Sequence, residues 1–311
     1  MNQKFQIDNL IVGDNHKPVY VAEIGLNHNN DLNIAQKTIE NAAKAGAHAV
    51  KFQSYITEEF IDLQNPDAKF LYDIFKKYEL SEKIHFDLQK TAKDNGVLFF
   101  STPLCNSSVD LLESLQVPVI KIASGDIVNR PLLQRVSQTN IPVFLSTGAA
   151  EFYEVVRAVE ELKQRKLENL CLFHCVSLYP TPTDKLNLKS LELYQDMYQI
   201  PIGFSDHSQG YLAPSVAIAL GASVIEKHFT LDKKLDGPDH SISASPEEFA
   251  EMVSHCDRVA EMLGSKEKVP WQQEVEGRFF GRRSMYQRSD DEIPLRPAMH
   301  IRDEGWKSSW E

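Results

Sequence analysis

The chain has 311 residues, 42% hydrophobic and 25% charged, with 33 Lys plus Arg against 44 Asp plus Glu and a net charge of −11. That composition describes a globular chain able to bury a sizeable core, not a disordered one. The excess of acid repels polyanions, which excludes nucleic acid as the expected partner. No run approaches the roughly 18 apolar residues that a spanning helix needs, so no membrane is expected. The four cysteines, Cys105, Cys171, Cys175 and Cys256, show no zinc-ribbon pairing and no leader peptide opens the chain, which fits a reducing, cytoplasmic location.

In chain order, Phe5 to Val12 alternates apolar and polar residues before Gly13-Asp14-Asn15, which predicts a short hairpin turning there and plugging a barrel floor. Eight short apolar runs follow: Val19 to Gly25, Ala49 to Tyr55, Val97 to Pro103, Val119 to Asp126, Val143 to Gly148, Cys171 to Leu178, Pro201 to His207 and Val224 to Thr230. Segments of helical period separate them, with Ile34, Thr38, Ile39, Ala42 and Ala43 on one face and Phe152, Val155, Val156, Val159 and Leu162 on another. Alternation of this kind predicts a parallel sheet, and eight repeats predict its closure into a (β/α)8 TIM barrel, an α/β fold, over residues 1–264. The last barrel helix is expected at Pro246 to Leu263, with Phe249, Met252, Val253, Val259 and Met262 inward. Residues 265–311 read as a charged C-terminal arm in which only Val275 to Tyr286 promises ordered structure.

The strand ends are polar: Glu23, then Lys51 and Gln53, Ser101 and Thr102, Lys121 with Ser124 and Asp126, Ser146 and Thr147, His174 with Ser177 and Tyr179, Ser205 with Asp206 and His207, and Glu226 with Lys227 and His228. Polar groups at the ends of apolar strands are costly unless they face a working cavity, and a barrel places its cavity at those ends. His207 and His228 stand on adjacent strands, which lie roughly 5 Å apart, so together they can share a divalent metal, Mn²⁺ or Mg²⁺. Either alone reads as a hydrogen-bonded core histidine. Lys51, Lys121, Thr102, Ser124, Ser146, Ser177 and Ser205 form a second set shaped for phosphate and carboxylate. Any one of these hydroxyls could serve its local backbone instead, but convergence from so many strands argues for a ligand. His28 and His240, the latter in the turn Asp236 to His240, are further candidates at the mouth, and Cys171 and Cys175 read as buried small hydrophobes.

The stretches Ala22 to His28, Val50 to Gln53, Ser101 to Pro103, Lys121 to Asp126, Leu145 to Gly148, His174 to Pro180, Gly203 to His207 and Glu226 to Thr230 resemble the N-acetylneuraminate (sialic acid) synthase family, which includes the legionaminic and pseudaminic acid synthases. The resemblance runs in order from about residue 5 to 286. It implies a metal-dependent transferase that condenses phosphoenolpyruvate with an open-chain N-acyl amino sugar of the mannosamine type. His207 and His228 would hold the metal, and Glu23, Lys51 and Gln53 would act at the reacting centre. Thr102, Lys121, Ser124, Ser146, Ser177, Tyr179, Ser205 and Asp206 would bind substrate. Where the family places an asparagine before Tyr72, this sequence has Pro66, with Asn65 one position early. The family also continues past Gly281 to Ser284 into a small antifreeze-like domain that covers the partner's site in a homodimer. The sequence ends at Glu311, so the expectation is that the arm, with Arg282, Arg283 and Arg296 available, does that job differently, that the acceptor needs no such clamp, or that a separate lid protein supplies it. A synthase of the shikimate or Kdo type and a non-catalytic sugar-binding barrel are the competing readings.

Overall fold

The protein is described here from a computed structural model, in residues 1–13, 16–301 and 305–306. It divides into two compact units, Met1–Leu263 and Gly264–Glu311. The first opens with β1 (Lys4–Ile7) and β2 (Leu10–Gly13), an antiparallel hairpin. Eight parallel strands follow: β3 (Val19–Gly25), β4 (Ala49–Ser54), β5 (Leu98–Pro103), β6 (Ile120–Ile122), β7 (Val143–Ser146), β8 (Leu170–Cys175), β9 (Ile202–Asp206) and β10 (Val224–His228). They close into a barrel in which β10 pairs with β3. The expected (β/α)8 barrel is therefore present.

The strands form where they do because they are continuous apolar runs that a doubly covered parallel sheet can bury. Each is followed by a helix that packs outside, and local caps fix where several begin. Asp31 accepts from the Asn33 and Ile34 amides, Ser81 from Ile84 and Asn129 from Leu132, satisfying donors that the first helical turn leaves open. The final helix spans Pro246–Leu263 and buries Phe249, Met252 and Cys256. Met262, expected inward, is 75% exposed, since the helix has outrun the barrel wall by its last turn.

Two further expectations need correction. The hairpin reverses at Asp8-Asn9, where Asp8 takes φ 52°, and Gly13 is the end of β2. Asp14 and Asn15, the other residues of the expected turn, lie outside the described residues. Phe5, Ile7 and Val12 are buried, and Asn2 bonds to Glu168 and Asn169 just before β8, so the hairpin does cover the amino-terminal ends of the strands. In the second unit, order extends past Tyr286: β11 (Ser284–Arg288) pairs antiparallel with β12 (Asp291–Leu295) about Ser289, at φ 53°. Isolated polar strands carry no apolar alternation, which is why the sequence pattern does not announce this pair.

Candidate active site

Because side chains alternate across a strand, the register decides which polar residues look into the barrel. Along β3, β4, β9 and β10 the inward set comprises Glu23, Lys51, Gln53, Ser205, Glu226 and His228, with His207 just past the end of β9, and the structure gathers these at the carboxyl ends of the strands. Lys51 Nζ lies 3.3 Å from Glu23 Oε2 and 3.0 Å from Glu226 Oε1. Lys121 Nζ lies 2.8 and 2.9 Å from the two Glu226 oxygens and 3.3 Å from Ser205 Oγ, which itself donates to Glu226 at 3.0 Å. Two buried ammonium groups thus share one buried carboxylate.

The electrostatics are correspondingly uneven. Burial opposes the charge on Glu226, yet Lys121 and Lys51 outweigh it and hold the carboxyl below its ordinary range. Burial likewise opposes the charge on Lys51, but Glu226 and Glu23 raise it. For Lys121 burial, with Lys51 acting in the same sense, prevails over Glu226 and its pKa is lowered. Glu23 is pushed up to about 7 by burial, with Lys51 pulling the other way.

Beside this group, the hydroxyls of Ser124 and Ser177 converge on Gly148, where a β-carbon would lie 2.8 Å and 2.4 Å from them. Ser124 Oγ accepts the Gly148 amide at 2.9 Å. Thr102 Oγ1 and Ser146 Oγ are buried without a hydrogen-bond partner, an arrangement that costs free energy unless a ligand supplies one. The result is a cradle of hydroxyls around two lysines that suits an anion carrying several oxygens.

On the other side, the His207 and His228 rings stand 5.6 Å apart, and Tyr179, 54% exposed on the rim, packs on His207 at 4.2 Å. His207 Nδ1 donates to the Val176 carbonyl at 2.8 Å, which leaves Nε2 with a free lone pair. His228 Nδ1 is buried without a hydrogen-bond partner, 3.9 Å from Asp239 Oδ2. Burial, reinforced by the facing imidazole for His207 and by Lys51 for His228, lowers both pKa values to about 4. Both rings are therefore neutral at pH 7 and chemically fit to ligate a cation. Among the described residues no group of three or more His, Cys, Asp or Glu side chains has a ligating arrangement, so the chain offers two nitrogen donors and leaves other positions open. Glu23 Oε1, Asp239 Oδ2 and Gln53 Nε2 meet around Gly25, whose absent β-carbon would lie 3.1, 3.4 and 3.6 Å from them.

One expected site residue faces elsewhere. Asp206 is the outward neighbour of Ser205, and it pairs with Lys227 while accepting from the Ser208 amide at 2.8 Å and hydroxyl at 2.7 Å. It braces the strand ends from behind. The reverse holds for Glu226, a polar strand-end residue not among the expected site residues. A step of two back from His228 would have placed it inward. His240 is fully buried, bonded to Thr230 Oγ1 at 2.6 Å and Asn29 Oδ1 at 3.2 Å, so Asp239 rather than His240 approaches the mouth. His174 also points outward and bonds to the Leu186 carbonyl.

His28 is buried as well. Its Nδ1 accepts from the Asn30 amide at 2.9 Å, leaving Nε2 without a partner, and burial, with His85 and His240 nearby, lowers its pKa to about 4. The unfolded chain takes up this proton near pH 6.5 and the folded chain does not, so the contribution is intact above pH 6.5 and lost as pH falls towards 4. His28→Gln is expected to remove on the order of 3 kcal/mol of the stability lost between those pH values. Urea unfolding of both proteins across the range measures it, and parallel curves would contradict it.

The chain has known relatives. Residues 38–268 match the family model described as the NeuB family. The chain is 45% identical over 283 residues to the uncharacterized protein MJ1065 of Methanocaldococcus jannaschii, covering 91% of this chain and 83% of that protein. It is 38% identical over 305 residues to the N,N'-diacetyllegionaminic acid synthase of Legionella pneumophila, covering 90% and 86%. Among solved structures, the N-acetylneuraminic acid (sialic acid) synthetase of Leptospira borgpetersenii superposes with a TM-score of 0.83 at 38% identity, over 89% of this chain and 95% of that one. On the family match and these identities, the chain belongs to the NeuB family.

Proposed function

We propose that this protein condenses phosphoenolpyruvate with the open-chain form of an N-acyl mannosamine-type sugar, releasing phosphate and forming a nonulosonic 2-keto acid. The observation that carries the reading is the meeting, in one mouth, of two buried lysines in a hydroxyl cradle with two neutral imidazoles and a carboxylate poised near neutrality. The similarity to synthases of legionaminic and sialic acids supports it.

Lys51 and Lys121, with Thr102, Ser124, Ser146, Ser177 and Ser205, bind the carboxylate and phosphate of phosphoenolpyruvate, two anionic groups that directional hydroxyl and ammonium donors can hold apart. Tyr179, Gln53 and Asp239 line the space left for the sugar. His207 and His228 would hold the divalent ion, with Mn²⁺ suiting imidazole better than Mg²⁺ does. Such an ion, when bound, polarises the sugar aldehyde. The C3 electron pair of phosphoenolpyruvate then forms a bond to C1 of the sugar, and the aldehyde oxygen takes up a proton to become a hydroxyl, balanced by the proton lost from the water that adds at C2. Positive charge develops at C2, where Glu23, on the strand between Lys51 and His228, stabilises it and orients the water that adds. A tetrahedral hemiketal phosphate results, and phosphate leaves with the C–O electrons to give the ketone.

Only one water should reach C2. Tyr179 stands open on the rim, so a second copy in a homodimer or a separate lid protein would supply the cover. Free, buried cysteines support residence in a reducing cytoplasm. The test is phosphate release from phosphoenolpyruvate with Mn²⁺ and a panel of N-acyl mannosamine-type sugars, before and after chelation. Release that needs both sugar and metal is expected. Sugar-independent release, or none with any sugar, would overturn the reading.

A further inference from the structure

Beneath Lys121 the barrel interior is aromatic. Phe100, Phe144 and Phe173 project inward from β5, β7 and β8, with successive ring centroids 5.8 and 5.1 Å apart. Lys121 Nζ lies over the Phe173 ring, 4.7 Å from its centroid, and both side chains are almost completely buried. Space for that ring comes from Gly203, its neighbour in the β8–β9 register. A β-carbon there would sit 2.6 to 2.7 Å from three ring carbons, far inside contact distance. Gly203 does not take a left-handed conformation, so room for Phe173 is the reason the structure shows for glycine.

Lys121 needs such support. Its ion-pair partner, Glu226, is shared with Lys51, and its other hydrogen bond is the long one to the Ser205 hydroxyl at 3.3 Å. Burial lowers the tendency of Lys121 to stay charged. The face of an aromatic ring carries negative charge density and attracts an ammonium group without occupying the place an anionic ligand must take. A leucine or methionine of similar bulk fills the same volume and supplies none of this.

We propose that Phe173, seated in the notch left by Gly203, is a positioning residue for phosphoenolpyruvate: its ring face holds the Lys121 ammonium charged and directed towards Ser205 and Glu226. This rests on the reading of Lys121 as an anion contact. The effect should appear in affinity for phosphoenolpyruvate and not in affinity for the sugar.

The test exchanges Phe173 for mono-, di- and trifluorinated phenylalanine, which keep the ring's shape while draining charge from its face. Steady-state kinetics should show KM for phosphoenolpyruvate rising stepwise to about tenfold, with KM for the sugar and kcat within about twofold. In parallel, unfolding stability should fall stepwise along the series, and that slope should vanish in a Lys121→Met background. A series flat in KM overturns the role in substrate binding, and a series flat in stability, or equally steep without Lys121, overturns the ring–ammonium support. If the parent protein neither binds nor turns over phosphoenolpyruvate, the functional reading fails and with it the role in substrate binding, while the stability series still decides the support itself.

Discussion

Glu226→Leu is expected to lower the unfolding free energy by about 3–5 kcal/mol at pH 7, because it leaves buried ammonium groups without their carboxylate. Lys51 would keep Glu23 at 3.3 Å, but Lys121 would lose its ion-pair partner and keep a serine hydroxyl and the face of Phe173. The cheapest response open to Lys121 is to lose its proton, which would also remove half of the cationic cradle. A companion variant separates this loss from simple repacking. In Glu226→Leu with Lys121→Met, the charge and its partner leave together, and replacement of buried ion pairs by apolar residues is often close to neutral. The double variant should therefore recover most of the stability lost in the single one, as read by denaturant unfolding. A single-variant loss below about 1 kcal/mol, or no recovery in the pair, would show that Glu226 does not balance the lysines.

His207→Ala is expected to reduce kcat/KM by about a thousandfold, the scale of several kcal/mol of lost charge stabilisation. The fold should survive: His207 stands above the packed strands, where its contacts are Tyr179, His228 and one carbonyl. His174→Gln provides the control, since that imidazole lies near the end of β8, three residues before Ser177, yet is turned outwards against Tyr194 and Phe204. It should retain turnover and Mn²⁺ binding. Equal losses in both variants would mean that damage to β8 and β9, and not the loss of a donor, explains the effect.

Much of this molecule is legible in its sequence for one physical reason. Strands covered on both faces must be apolar throughout, so their polar ends stand out, and in a barrel those ends surround the mouth. Glu23, Lys51, Lys121, Ser205, His207 and His228 are recoverable in this way. What goes wrong is orientation. Ser205 and Asp206, or Glu226 and Lys227, are equally polar neighbours, and only the two-residue strand period separates the member facing the ligand from the member facing the helices. Asp206 is consequently assigned to the substrate and Glu226 passed over, although His207 and His228 fix the phase of both strands. The ion pair of Lys51 with Glu226 spans 175 positions, and no local pattern announces it. Loop residues are harder still: the burial of His28 and His240 depends on what packs over them. Asn27, for example, donates to the Phe229 carbonyl at 2.9 Å and Ser243 Oγ at 2.8 Å, tying the end of β3 to the chain leaving β10.

The most direct test of the central claim is an anomalous-difference map from crystals grown with Mn²⁺ and phosphoenolpyruvate. One metal peak is expected within ligating distance of both His207 and His228, with the phosphoenolpyruvate oxygens on Lys51, Lys121 and Ser124. A metal bound away from the two imidazoles, or phosphoenolpyruvate bound away from the two lysines, would contradict it.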